Sequence, residues 1–491
     1  MSEAEDTRAG TGALHRSMSE ALSRHWKVAV LAAAGVITVT SATIHGGTPD
    51  AGASDAKPAT APVRDGMPED DQDHSKDHDR DDRGDKGERG HRDKGSNEDG
   101  EEHDKRDAED TGSERLDKQS VACDPNKLIA ELVELNENTG GTLHLAKDCT
   151  YTLTANQDGN GLPRIVQPIT IHGNGATIAR AANADQFRIF QVSAGGDLRL
   201  RGLTLTRGKP DGDGGAINVN AAGRLDTDGV TFTDNSVADI GLDNGGAVFN
   251  AGITTLRNSV LTRNSAEFGS AIFNASGKLQ ITDTKITGNT AEGDGTVSND
   301  GGTTKIGNSL ISHNFGSGVE NQAGLTEIDR TTISNNVDDG NGGGIDHENG
   351  GLHVRNSVIK GNAVIGDENG GGIILDDDAV IEDSEITGNT AVDGDGGGIA
   401  TGEAGSEVAI RGTKIAGNQA PGDGRRGGGL FVEDGTTVNL TDTTVKKNLS
   451  DAPAGGIHNS GIVTANGKVR IIDNVPTNCT GSPNPVPSCF G

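Results

Sequence analysis

The chain has 491 residues, a formal charge of −30, 75 glycines and only 2 % aromatic residues. So few rings exclude a thick aromatic core and leave room for a thin aliphatic one. The acidity excludes nucleic acid as a partner, because phosphates need clustered Lys and Arg.

Residues 1–27 end in Arg16, Arg24, Trp26 and Lys27, ahead of the small and apolar run of residues 28–44, VAVLAAAGVITVTSATI. Positive charge stays inside, so everything after this run is expected to be exported, and the run itself serves as a signal peptide or an uncleaved signal anchor. Contact with a membrane is expected only there. Residues 45–120 mix both charge signs densely with glycine and hold almost nothing apolar. Such a stretch cannot bury enough to fold and reads as a disordered, charged linker.

Residues 121–491 form the expected folded domain. CDPNKLIAELVELN at its start carries an N-cap, Asp124, a first-turn proline, Pro125, and an apolar face of Leu128, Ile129, Leu132 and Val133. A short capping helix follows from that pattern. Cys123 and Cys149 lie at this end and Cys479 and Cys489 at the other. No CxxC or HxxxH companion suggests zinc, so two disulfide staples and an oxidising compartment are expected.

Between the staples an aliphatic residue is followed three positions later by asparagine, ten times over. The asparagines are Asn235, Asn264, Asn289, Asn314, Asn336, Asn362, Asn389, Asn418, Asn448 and Asn474. Their spacing stretches from 336 − 314 = 22 to 448 − 418 = 30 residues and never breaks. Alternating apolar runs such as KLQITDTKI read as short strands with period two. A unit of this length without a helix pattern fits one turn of a parallel β-helix. Stacking at about 4.8 Å would place the asparagines in a buried, hydrogen-bonded ladder.

GGAVFN, GSAIFN and GGIHN, each followed by a Ser, an aliphatic residue and an Asn, resemble the GGA(I/L/V) and FxxN repeats of bacterial right-handed β-helix surface proteins of the polymorphic outer-membrane type. The resemblance covers residues 121–491, although FxxN is mostly an aliphatic version here. It implies an all-β fold, a right-handed single-stranded parallel β-helix of the pectin-lyase-like kind. It names no activity, because enzymes, adhesins and tailspikes share that architecture.

Aligned on the residue after each glycine cluster, Val248, Ile272, Val297, Val319, Ile345, Ile373, Ile399, Leu430 and Ile457 point inward. The outward column then reads Phe249, Phe273, Ser298, Glu320, Asp346, Ile374, Ala400, Phe431 and His458. The next column is mostly asparagine, Asn250, Asn274, Asn299, Asn321 and Asn459, interrupted by His347, Leu375, Thr401 and Val432, and reads as another internal ladder or turn cap. Glu320 and Asp346 on adjacent rungs could form an acid and base pair for glycosidic cleavage. Phe249 and Phe273, with His347 nearby, would suit sugar binding. Against catalysis, the acidic motifs of polygalacturonases and the aspartate column of calcium-dependent pectate lyases are missing. Corners such as PDGDGG and VDGDGGG leave room for a structural calcium ion, although turn-forming Asp and Gly explain them without metal; no other cofactor is expected.

The favoured expectation is a monomeric, extracellular or surface-tethered β-helix that binds a polysaccharide or cell-surface glycan without cleaving it. The alternative is a polysaccharide lyase or glycoside hydrolase acting in a groove along the helix.

Overall fold

The computed structural model describes residues 120–237, 243–402 and 405–491. The leader, the run 28–44 and the linker up to residue 119 lie outside the described residues. Among those described, no helix is long and apolar enough to cross a membrane.

Three parallel sheets run the length of the domain. The first has thirteen strands, from Gly141–His144 to Ile462–Asn466, and the second thirteen, from Thr150–Leu153 to Arg470–Ile472. The third has eleven, from Phe190–Val192 to Ile457–Asn459. Each strand pairs in parallel with its equivalent one turn away, as Ile286 with Ile311 and Ile345 with Ile373. The chain therefore coils as a parallel β-helix. Its strands are short because every few residues it must turn a corner.

The inward residues form one continuous aliphatic column, including Ile281, Ile306 and Ile328 from the first sheet and Ile286, Ile311 and Ile333 from the second. The largest fully buried rings, Tyr151, Phe187, Phe190 and Phe232, all lie in the first turns. Elsewhere the core is as thin as the composition requires.

Corners are where sheet hydrogen bonding fails, and each is filled by polar side chains. Between the second and third sheets, each asparagine from Asn235 to Asn448 donates from its Nδ2 to the Oδ1 of the next asparagine, at 2.9 to 3.1 Å. That Oδ1 also accepts the backbone N–H of the preceding asparagine, as Asn314 does from Asn289. The Nδ2 donates as well to a backbone carbonyl, that of Leu261 for Asn289. The residue before each asparagine turns the backbone through the left-handed region, with Gly288 at φ 66° and His313 at 56°. A second ladder joins Asn250, Asn274, Asn299 and Asn321 between the third and first sheets.

A third ladder, of hydroxyls, stands between the first and second sheets. Ser259, Thr284, Ser309, Thr331, Ser357, Ser384 and Thr413 each accept the backbone N–H of the rung before or pass their own N–H to the next hydroxyl. Each hydroxyl in turn donates to the carbonyl two residues earlier, as Ser309 does to Gly307.

Both ends are closed. The helix Pro125–Glu137 is capped by Asp124, whose side chain accepts from the Asn126 N–H at 2.8 Å. It buries Leu128 and Leu132 with Ile129 and Leu135 packed alongside. Val133, expected on that face, is 40 % exposed, because the buried stripe follows 128, 132 and 135 and places 133 to one side. The Tyr151 hydroxyl donates to the Val121 carbonyl and accepts from the Ala146 N–H. Disulfides join Cys123 to Cys149 and Cys479 to Cys489, with Cα separations of 5.8 and 6.3 Å. At the far end Asn478 accepts from Asn474 and so takes the last free donor of the ladder.

Replacing Asn289 by alanine (N289A) orphans the Asn264 donors and the Leu261 carbonyl in a dry corner. Urea unfolding should show a loss of roughly 1 to 3 kcal/mol. The exposed neighbour Asn335, which sits in the left-handed turn, should tolerate N335G within about 0.5 kcal/mol.

Candidate functional site

The glycine clusters before the third sheet position everything outside it. In Gly370-Gly371-Gly372 the first glycine takes φ 74°. A methyl on the second would strike the backbone of Thr390 on the following turn, and one on the third would strike the Gly398 carbonyl and the Asn389 amide. Three different contacts therefore demand three glycines. With no side chains in the way, the segment between the asparagine corner and the third sheet folds back tightly, and its residues Val337–Asp338, Ala363–Val364, Thr390–Ala391, Gln419–Ala420 and Leu449–Ser450 pair as a fourth, five-stranded sheet.

The outward column of the third sheet is consequently covered. Ile374, Ala400 and Phe431 form a small apolar cluster separate from the main core. Phe273 is 6 % exposed, Glu320 0 % and Asp346 1 %. Phe249 is half-buried and stacks on Phe273 with ring centroids 5.8 Å apart and planes 9° off parallel. Glu320 and Asp346 do pair in register on neighbouring strands, but they lie beneath the cover and not in an open groove. No polymer reaches them in this structure. The expectation of an outward, accessible column is corrected by the glycines, which let the chain double over it.

His347 is likewise no sugar ligand in this geometry. It is fully buried and continues the second ladder: the Asn321 Nδ2 donates to its Nδ1 at 3.1 Å, and its Nε2–H donates to the Asp378 carbonyl. Burial holds its pKa below the ordinary value, which keeps the ring neutral and able to accept.

The buried acids are strongly perturbed. Desolvation pushes Glu320 up to about 8, opposed by the Ser298 hydroxyl, which donates to its Oε2 at 2.5 Å, and reinforced by Glu348 and Asp338. Asp346 is raised well above the carboxylate range, first by burial and then by Glu320, Glu348, Asp338 and Asp376.

The acidic corners make hydrogen bonds between neighbouring loops. Asp213 accepts the Asn244 N–H, Asn369 that of Asp395, and Asp395 that of Arg426, at 2.6 to 2.8 Å. Each stitches one loop to the next. Asp395 also holds the Arg426 guanidinium at 2.7 Å. Among the described residues, no three His, Cys, Asp or Glu side chains are placed to hold a metal ion.

The accessible chemistry lies on the outer face of the first sheet, where sequence reasoning did not look. Gly307 stands in an outward column between Thr282 and Asp329. Its missing side chain leaves a shallow trough of about 390 Å³ lined by Lys305, Glu327, Asp329, Arg330, His353 and Arg355 among others. Cations and carboxylates interlock across the strands. Lys305 pairs with Glu327 at 2.7 Å, Arg330 and Arg355 share Asp329, and His353 and Arg411 share Glu382. A similar bridge joins Arg201 and Arg257 through Asp226. The period-two charges in TTKIG, LTEID and LHVR were the available signal. They read simply as solvated strand faces until the register aligned them.

A family model of the right-handed β-helix region matches residues 215–381. No curated protein matches the chain. Among solved structures, the chain is similar to the A-module of a mannuronan C-5 epimerase of Azotobacter vinelandii, at 13 % identity and a TM-score of 0.45, covering 71 % of this chain and 96 % of that one. It is similar also to a tailspike protein variant of an Escherichia coli bacteriophage, HK620, in complex with a pentasaccharide, at 11 % identity and a TM-score of 0.37, covering 70 % and 74 %. A variant of a periplasmic alginate epimerase aligns at 11 % identity and a TM-score of 0.33, over 71 % and 89 %. At these identities the likeness is one of fold.

Because Glu320 binds its proton more tightly folded than unfolded, stability is lost as pH rises from the ordinary value of 4.5 towards about 8. The E320Q protein should therefore melt at the wild-type temperature near pH 4.5. Its advantage should grow to several degrees by about pH 8, as followed by calorimetry.

Proposed function

We propose that this chain is an exported β-helix that holds a glycan along the outer face of its first sheet and does not cleave it. The trough at Gly307 carries the reading. It is open, it is lined by several polar side chains at fixed separations, and donors and acceptors alternate along it, which suits a polymer of hydroxyls. The ion pairs keep these long side chains ordered before a ligand arrives, so less entropy is lost on binding. The half-buried Phe249 ring on the third sheet offers a separate stacking surface.

The two disulfides support an oxidising, extracellular setting, and the apolar run at 28–44 would provide export and, if uncleaved, a tether. A structural calcium ion in the acidic corners remains a separate proposal, checked by whether EDTA lowers the melting temperature.

Gly307 offers a clean test, because a Cβ atom there meets only the Asp329 carbonyl at 3.9 Å and its backbone is not left-handed. G307Y should fill the trough at no cost to folding. On a polysaccharide array the wild-type protein should bind at least one polymer without releasing reducing ends or unsaturated products. G307Y should weaken that binding tenfold or more with an unchanged melting temperature. Depolymerisation would favour the lyase or hydrolase alternative, and undiminished binding by G307Y would remove the trough from consideration.

A further inference from the structure

We infer that Glu320 and Asp346 share a proton at neutral pH, and that this proton latches residues 339–344 down over the third sheet. The two side chains lie on adjacent strands in register, under a cover that leaves 0 % and 1 % of them exposed. Glu320 Oε1 and Asp346 Oδ1 are buried and accept no hydrogen bond. Two carboxylates cannot both stay ionised there without a counter-charge.

The groups that face them supply none. From the preceding rung comes the Ser298 hydroxyl, and from the turn after Glu320 the Gln322 side chain. Asp338 acts on them from the cover strand Val337–Asp338, Glu348 from the turn after Ile345–His347, and Asp376 from the following rung. All the ionisable neighbours are acids. A methyl group at Gly295 would overlap Glu320, so packing is tight on that side too. No ligand set among the described residues offers a metal ion an alternative place. A proton is the counter-ion that needs no room. Carried by one carboxyl and donated to the other, it forms a charge-assisted O–H···O⁻ bond between the two side chains.

Removing it leaves two adjacent buried anions with Asp338 above them, and the fold yields where it is weakest. The cover there is a two-residue strand followed by Asp339 and a run containing Gly340, Gly342, Gly343 and Gly344. On later rungs the same two layers hold Val364 with Ile374 and Ala391 with Ala400, which carry no charge. Opening is therefore local. Burial raises both carboxyls, and the rise of Glu320 to about 8 places the change on the alkaline side of neutrality.

The test uses the full chain in two measurements. Infrared difference spectra in D2O, wild type minus E320Q/D346N, should show a protonated carboxyl band near pH 6.5 that vanishes by about pH 9. Hydrogen exchange of peptides spanning residues 336–350, corrected for intrinsic rates, should show protection falling tenfold or more over that interval. Peptides spanning 410–420 should hold steady, and the double variant should show flat protection throughout. If the double variant does not fold, E320Q and D346N taken singly should each show a clearly smaller alkaline loss of protection than the wild type. Absence of the band near pH 6.5, or an equal alkaline loss of protection in the amide variants, would overturn the latch.

Discussion

The structure depends on one constraint: a coil of parallel strands must satisfy the backbone at its corners, where the sheets stop. Here the solution is a side chain that hydrogen-bonds both to the next turn's equivalent and to main chain. Asparagine meets it with the shortest side chain that carries donor and acceptor together. Its Oδ1 takes two protons and its Nδ2 gives two, so each buried amide is fully used, as at Asn289. Hydroxyls do the same at a tighter corner. Loop lengths are then free to vary, because register is held by the corners and not by the connections.

The same economy explains the glycines. A chain that turns beside a ladder and then doubles over its own third sheet has no space for Cβ atoms along the fold line. Covering that face creates a second layer of burial, and what lies in the layer is decided rung by rung. Phe431, Ala400 and Ile374 are comfortable in it. Ser298, Glu320 and Asp346 are tolerable only through hydrogen bonds and protons, and their presence is a cost to stability that the aliphatic core absorbs.

Function is consequently displaced to the faces the coil leaves bare. The first sheet presents long charged side chains in register, several of its acids shared between two cations, as Asp226 is between Arg201 and Arg257 and Asp329 between Arg330 and Arg355. Individually such exposed pairs contribute little to stability. Collectively they hold a polar surface in one arrangement along a rigid rod, which is what a binding face for an extended polymer requires.

The sequence by itself determined the repeat, the ladder asparagines, the inward columns, the capping helix and the two cysteine pairs, because each follows from local periodicity or from the end of a periodic run. The second asparagine column was legible too, although His347, which reads as an interruption in the sequence, continues the ladder through its ring nitrogen. What only the tertiary structure decided was exposure. Whether Glu320 faces solvent depends on Gly295 of the previous turn and on the cover strand that carries Asp338, residues brought together by stacking and not by spacing. The trough is of the same kind: Gly307 means little in TTKIG until Thr282 and Asp329 stand on either side of it. Periodicity fixes which way a side chain points, and only the path of the rest of the chain fixes what lies in front of it.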